Sequence, residues 1–310
     1  MIYTHTSENI KRIIEKGKGF TVFLDDTAQI IGSEVKLVSE KNIEASLEEN
    51  SAVLVKEGYA ASFGRSTREA ETAMEVLEKA CFVLLKGESL GGVIPLSEED
   101  SVLMRNNYLN NYSKAEEGDE KAVTGRSTEG TDSRELSLRK DLVAYGNKLV
   151  EEGLVSGTWG NLSIRLDEDT MVVTPSGITY DRLTPGDMVK VRIDDLTWDG
   201  DLKPTSEKIL HAEIYRRRPE VRAIIHTHQT GASIFAACEK DLGEIKTAAY
   251  ALPGTDDLAK FTADALGENP ACIMAHHGMC AVGKTLAEAL ENCTNLETLA
   301  MKQCGRGIPE

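Results

Sequence analysis

Five of the six histidines in the chain fall between residues 211 and 277, as Glu207-x-x-x-His211, His226-Thr227-His228 and His276-His277-Gly278. Imidazoles at that density, with a carboxylate nearby, are the vocabulary of a divalent-metal site. An ion of the zinc type takes three or four N/O ligands at about 2.0–2.2 Å. A His-x-His pair on a β-strand presents both rings on one face, because strand side chains repeat every two residues. The run Val221-Arg-Ala-Ile-Ile-His-Thr-His is apolar and β-branched enough to be that strand. His226 and His228 are therefore candidate ligands from one element, with His277 and Glu207 completing the sphere from separate segments. His211, four residues after Glu207 on an expected helix, is either a further ligand or a neighbour on the helix face. A lone histidine reads more readily as a satisfied polar or core residue; the clustering is what points to metal.

Three clusters of small polar residues precede the histidines: Gly160-Asn161-Leu-Ser163, Thr174-Pro-Ser176-Gly177 and Pro204-Thr205-Ser206-Glu207. Hydroxyls, amides and free backbone N–H groups at turns and helix starts can hold a phosphate without much basic charge. Taken singly, Thr-Pro-Ser-Gly is an ordinary turn and Ser-x-Glu an ordinary helix cap. Their common place upstream of one histidine cluster suggests an anionic substrate beside the metal.

The elements that must position these groups alternate along residues 135–310. Leu138, Leu142, Val143, Leu149 and Val150 recur at helical spacing from Leu136 to Glu152, and Gly153 ends that helix. Short strands are expected at Leu162–Leu166, Met171–Thr174 and about Met188–Ile193. A helix opens at Thr205-Ser-Glu-Lys and runs to about Arg217, capped by Ser or Thr. The His-x-His strand follows, then an apolar strand Ala271-Cys-Ile-Met-Ala that delivers His276 and His277, then a closing helix from Thr285 to Met301. Strands interleaved with helices and joined in places by hairpin-length connections predict an α/β/α three-layer sandwich around a largely mixed or antiparallel sheet.

At 310 residues the chain has room for two domains. Its formal charge of −16 argues against nucleic acid or anionic membranes as partners, since both attract basic surfaces. The six cysteines (Cys81, Cys238, Cys272, Cys280, Cys293, Cys304) form no Cys-x-x-Cys and no regular framework, which suits reduced thiols in the cytoplasm. No window has the apolar length of a membrane span, and the start lacks a basic region followed by an apolar one.

Residues 113–134 hold a single β-branched aliphatic residue and no aromatic, and read as a flexible linker between domains 1–112 and 135–310. Either side of it the chain repeats. With one residue inserted in the first copy, Gly58 faces Gly278, Gly64 faces Gly283, and Glu69-Ala70 faces Glu288-Ala289. Ile2-Tyr3-Thr4-His5 lines up with Ile225-His226-Thr227-His228, and Gly92-Val-Ile-Pro95 echoes Gly307-Ile-Pro309. On this alignment Tyr3, His5, Lys56 and Glu57 stand where the second copy has His226, His228, His276 and His277. The first domain is then a degenerate partial copy without a metal site, because one imidazole beside a lysine cannot hold a divalent ion. The stretch Gly19–Asp26 has no counterpart in the second copy.

The order Gly-Asn-x-Ser, Thr-Pro-Ser-Gly, Thr-Ser-Glu, His-Thr-His, His-His-Gly over residues 138–310 resembles the class II aldolase/adducin family. That resemblance implies Zn2+, or another divalent metal, held by His226, His228 and His277, with Glu207 as a displaceable fourth ligand and acid/base. It implies a substrate phosphate held by Asn161, Ser176, Gly177, Thr205 and Ser206. The reaction implied is retro-aldol cleavage of a phosphorylated ketose through a metal-stabilised enediolate. Glutamate at position 207, where related epimerases carry aspartate, favours the aldolase. The family's proton-donor tyrosine follows the His-x-His segment, which is about a dozen residues shorter here and leaves Tyr250 as the substitute. The tyrosine that such aldolases bring from a C-terminal tail has no counterpart, so a dehydratase or decarboxylase of phosphorylated sugars or sugar acids is the alternative. A non-catalytic adducin-like assembly module is another. The resemblance further implies a homo-oligomer, with a tetramer as the first expectation.

Overall fold

The computed structural model describes residues 1–112 and 125–305, which form two compact units divided between residues 114 and 115. Twelve residues of the expected linker, 113–124, and the echo at Gly307–Pro309 lie outside the described residues. Residues 125–134 are described and are held by named partners. Gly125 N–H and the Arg126 guanidinium donate to the fully buried Asp187 carboxylate at 3.3 and 3.2 Å. Asp132 then caps the Ser133–Glu151 helix by accepting from Arg134 N–H at 2.8 Å. That cap is why the helix starts before the expected Leu136.

In the first unit β1 (Ile2–His5), β2 (Phe20–Thr21), β3 (Glu34–Val35), β4 (Leu37–Val38), β5 (Ala52–Val55) and β6 (Tyr59–Phe63) occur. Strands β2 and β3 pair with each other. The other four form a sheet in the order β1-β6-β5-β4, antiparallel except for β4 and β5. The Glu8–Glu15 and Thr67–Gly87 helices pack together and against this sheet.

The second unit contains β7 (Gly160–Arg165), β8 (Thr170–Val173), β9 (Val189–Arg192), β10 (Ala223–Thr227), β11 (Thr247–Ala248), β12 (Ala271–Met274) and β13 (Gly278–Gly283). Their order is β11-β12-β13-β10-β7-β8-β9, and every neighbouring pair is antiparallel except β11 and β12. The Ser133–Glu151, Thr230–Cys238 and Leu286–Gly305 helices cover one face, and Lys208–Arg217 with Asp256–Leu266 cover the other. This is the expected α/β/α sandwich. All six cysteines are buried free thiols, and no helix among the described residues is long and apolar enough to cross a membrane.

Strand β10 lies at the centre of this sheet, paired through His226 with Asn161 of β7 and Cys280 of β13. All five of its residues are buried, which suits a continuous β-branched run covered on both faces. Ile224 joins the core formed with Leu210, Tyr215, Leu258 and Val282. His226, two residues on, projects to that same face, toward the Lys208–Arg217 helix. That helix begins three residues later than expected, because Thr205 N–H is bound to Thr174 O and Thr205 Oγ1 accepts from Glu207 N–H at 3.2 Å. Thr205–Glu207 is therefore a turn, with Glu207 as the helix N-cap.

The two units share a frame, but with a register different from the one expected. Val55 pairs with Tyr59 across a three-residue turn, and Met274 pairs with Gly278 across another. The hairpins correspond without any insertion, so Lys56, Glu57 and Gly58 occupy the places of Ala275, His276 and His277. Beyond them Ser66 Oγ accepts from Glu69 N–H and Thr285 Oγ1 from Glu288 N–H, both at 3.2 Å. Glu69 and Glu288 reach back to Arg65 N–H and Lys284 N–H at 2.7 and 2.8 Å. Thr4 pairs with Ala61 as His226 pairs with Cys280, which puts Thr4 and Thr6 where the second unit has His226 and His228. The expected matches of Tyr3, His5, Lys56 and Glu57 to the histidines were displaced by anchoring Gly58 on Gly278. The first unit carries no imidazole at any of the three positions.

Gly278 lets the hairpin close on β10: a Cβ there would stand 2.3 Å from Thr227 O. Gly278→Ala should destabilise the protein by about 1–3 kcal/mol through backbone displacement, read as a lower denaturation midpoint in urea with an unchanged m value.

Candidate metal centre

Three elements deliver the imidazoles. Strand β10 carries His226, the residue beyond its end is His228, and the tight turn between β12 and β13 presents His277. Their ligand atoms all lie within 4.8 Å of one another. The rings of His226 and His277 stack at 4.7 Å between centroids, and His228 lies 4.9 and 4.5 Å from them. Glu207, at the head of the Lys208–Arg217 helix, places Oε1 2.6 Å from His277 Nε2 and Oε2 3.3 Å from His226 Nε2. His226, His277 and Glu207 are each less than 5 % exposed.

Proton positions follow from the partners. His226 Nδ1 lies 2.8 Å from Met279 O, which can only accept, so the Nδ1–H donates and the neutral ring has a bare lone pair at Nε2. Nε2 makes no hydrogen bond. Burial holds His226 well below the ordinary imidazole range, and the neighbouring imidazoles add to that. Burial raises the Glu207 carboxyl, but the three imidazoles outweigh it and keep the group well below the usual carboxylate range. A lone pair and an ionised oxygen thus face each other at 3.3 Å with no proton between them, an arrangement that a cation resolves. The donor set, imidazole nitrogens with one carboxylate, is of the kind that binds zinc and its neighbours in the first transition row.

His276 and His211 do not join this group. His276 has φ +61°, which swings it to Glu239 at 2.9 Å, with Tyr250 packed edge-on at 5.1 Å. His211 is fully buried one turn along the helix. Its Nε2 lies 2.5 Å from Asn161 Oδ1 and its Nδ1 2.6 Å from Ser163 Oγ.

The five phosphate candidates are placed unevenly. Asn161 donates Nδ2–H to Glu207 Oε2 at 3.1 Å, so part of its amide supports the carboxylate. Thr205 is buried and caps the turn at Glu207. Ser176 donates Oγ–H to Pro204 O at 2.9 Å, and Ser176 N–H bonds Lys203 O, which clips the turn after β8 to the turn before Glu207. Gly177, with φ +76°, and the exposed Ser206 stand on these clipped turns.

Further supports came from residues that local motifs do not flag. Glu297, on the final helix, accepts from Gly231 N–H at 2.6 Å and Ala232 N–H at 3.1 Å, capping the helix that follows His228. Gln229 Nε2 donates to Cys293 O at 3.1 Å. A Gln directly after the His-x-His pair was the visible half of this latch.

The description "Class II Aldolase and Adducin N-terminal domain" matches residues 140–304, more than half of the chain. The chain belongs to the class II aldolase and adducin family. A 5-methylthioribulose-1-phosphate/5-deoxyribulose-1-phosphate aldolase of Rhodospirillum rubrum is 34% identical over 177 residues, covering 53% of this chain and 79% of that protein. A 3-oxo-tetronate 4-phosphate decarboxylase of Escherichia coli (strain K12) is 28% identical over 182 residues, 54% of this chain and 85% of that one. Among solved structures, an L-fuculose 1-phosphate aldolase has a TM-score of 0.54 at 30% identity, covering 59% of this chain and 92% of that one. The family match falls on the second unit, and the first 112 residues lie outside it.

Buried neutral histidines should make this member of the family acid-sensitive. Burial lowers His211 to about 4, against about 6.5 in an unfolded chain. Between those values the unfolded chain binds a proton that the native one does not, so stability falls as pH falls through the window. His226 acts in the same direction. The metal-free protein should lose about 2 kcal/mol of unfolding free energy between pH 7.5 and 5 from His211 alone, measured by urea titration at each pH.

Proposed function

We propose that the chain is a lyase of the aldolase type that uses zinc or another divalent metal to cleave a phosphorylated ketose. His226, His228 and His277 are the ligands, with Glu207 as the displaceable fourth ligand and proton carrier. The observation that carries this reading is the lone pair of His226 Nε2 facing the Glu207 carboxylate inside a ring of three imidazoles. The family match and the named activities of the relatives support it.

When bound, the metal supplies Lewis-acid stabilisation of the negative charge that develops on the substrate's oxygens. The remaining work falls to the chain. The turns at Ser176-Gly177 and Thr205-Ser206 receive the phosphate through hydroxyl and backbone N–H groups, at the start of the Lys208–Arg217 helix. In cleavage, the hydroxyl at C4 gives its proton to the ionised Glu207 carboxylate as the C3–C4 bond breaks to give an aldehyde. Glu207 then delivers a proton to the carbon left behind. Asn161 and Thr205 hold Glu207 in place for that transfer.

A decarboxylase of a phosphorylated 3-oxo acid is the second reading. The relatives include such decarboxylases, and Tyr250 packs on His276, which Glu239 holds. Loss of carbon dioxide leaves the same kind of carbanion and needs no base for a C4 hydroxyl. A homo-oligomer in the cytoplasm, tetrameric as first expectation, belongs to the same proposal and is open to light scattering.

Elemental analysis of purified protein should find about one divalent ion per chain, lost in a His226→Ala/His228→Ala double variant and kept in Thr4→Ala/Thr6→Ala. Incubation with 5-deoxyribulose 1-phosphate should release dihydroxyacetone phosphate and an aldehyde, and Glu207→Gln should lower kcat by about 10²–10⁴-fold. Release of carbon dioxide from 3-oxo-tetronate 4-phosphate, with no ketose cleavage, would replace the aldolase by the decarboxylase. Absence of metal after reconstitution would favour a non-catalytic assembly role.

A further inference from the structure

Behind Glu207 runs a file of buried polar groups contributed by β7 and the Lys208–Arg217 helix. Asn161 Nδ2 is 3.1 Å from Glu207 Oε2, His211 Nε2 is 2.5 Å from Asn161 Oδ1, Ser163 Oγ is 2.6 Å from His211 Nδ1, and Tyr215 OH is 2.9 Å from Ser163 Oγ. Each of these residues is at most 7 % exposed, so water cannot take over a bond that is lost. Such groups must be satisfied within the file or remain costly.

The direction of every bond in the file follows from its ends. The Asn161 amide sets its Nδ2 on Glu207 Oε2 and its Oδ1 on His211 Nε2; the flipped amide would set two oxygens 3.1 Å apart. Asn161 Oδ1 then faces His211 and needs a donor, which makes Nε2–H the protonated nitrogen. A neutral imidazole has one donor and one acceptor. Nδ1 therefore accepts from the Ser163 hydroxyl, whose proton is then committed, so Ser163 Oγ accepts from the Tyr215 hydroxyl at 2.9 Å, nearer than that hydroxyl's other acceptor, Arg222 O at 3.4 Å. The chain of donors runs one way, from Tyr215 to Glu207. Burial favours the neutral ring that this order requires.

We infer that His211, fixed by Ser163 as the neutral Nε2–H tautomer, is a positioning residue that locks the Asn161 amide with its N–H toward Glu207 and thereby sets where that carboxylate stands. Its consequence for turnover rests on the proposed lyase reading; the hydrogen-bond order itself does not. Of the two readings of His211, further ligand or helix-face neighbour, neither is its task here, and Asn161 gains a task at the carboxylate apart from phosphate binding.

Two substitutions separate position from bulk. A glutamine amide nitrogen can replace Nε2, whereas an asparagine amide reaches only the place of Nδ1. In the full chain, His211→Asn should lower kcat by about 10–100-fold, as loss of a partner supporting a metal site does, with KM changed less than about twofold because the phosphate turns are untouched. His211→Gln should recover most of that loss. Long-range ¹H–¹⁵N spectra of protein labelled at histidine, taken metal-free at pH 7, should show His211 protonated at Nε2 and bare at Nδ1, the signal being assigned by its absence in His211→Gln. An Nδ1–H tautomer or an imidazolium would overturn the inference whether or not the chain proves to be a lyase. Equal kinetics for the Asn and Gln variants, with both melting cooperatively, would overturn it as well. Failure of the lyase reading alone would appear as no turnover in wild type with the predicted tautomer still present.

Discussion

Keeping an ionised carboxylate at Glu207 out of water is the constraint on which this structure turns. A buried carboxylate is costly unless donors or a cation surround it. No lysine or arginine forms an ion pair with Glu207 among the described residues. The fold instead supplies the Asn161 amide from β7 and His277 Nε2 from the β12–β13 turn as hydrogen-bond partners, with the His226 lone pair from β10 facing the same group, so three segments distant in sequence meet at one charge. Central placement of β10 makes this possible, because its neighbours on both sides carry parts of the same site. Antiparallel pairing of β7, β10 and β13 sets Asn161, His226 and Cys280 side by side in one row.

The first unit shows how separable that row is from its frame. Its β1-β6-β5-β4 order and strand directions repeat β10-β13-β12-β11, and the capping pattern after the hairpin recurs down to the glutamate that reaches back. Thr4, Thr6 and Gly58 at the ligand positions leave the frame without the donors. Packing and capping specify the frame, while three side chains at fixed places on it specify the chemistry. Among the described residues no strand of the first unit corresponds to β7, so the row has no Asn161 equivalent there either.

Much of the second unit was legible because its signals are periodic or local. His-x-His works as a period-two signal, and His226 does share a face with Ile224 and with the helix that Glu207 caps. The strands at Leu162, Met171, Met188 and Ala271 were found within two residues of their ends. The register of the first unit was not legible, because anchoring on glycines tolerates a one-residue slip that strand pairing forbids. The roles of His211 and Asn161 were hidden for another reason. A hydrogen bond between side chains 50 residues apart leaves no trace in either neighbourhood. The start of the Ser133 helix was obscured by a polar segment whose first described residues are tied down by one buried aspartate, Asp187.

Glu297 gives the final helix a part in when the site can exist at all. Every imidazole of the centre, and Glu207, precedes the Leu286–Gly305 helix in the chain, yet the helix that fixes the exit of His228 has its first N–H groups held by that later carboxylate. During synthesis the ligands therefore leave the ribosome before the residue that steadies them. Until the last helix docks, the first N–H groups of the Thr230–Cys238 helix lack that carboxylate, and the exit of His228 is held less firmly. Docking of the final helix is therefore the step that completes the cluster.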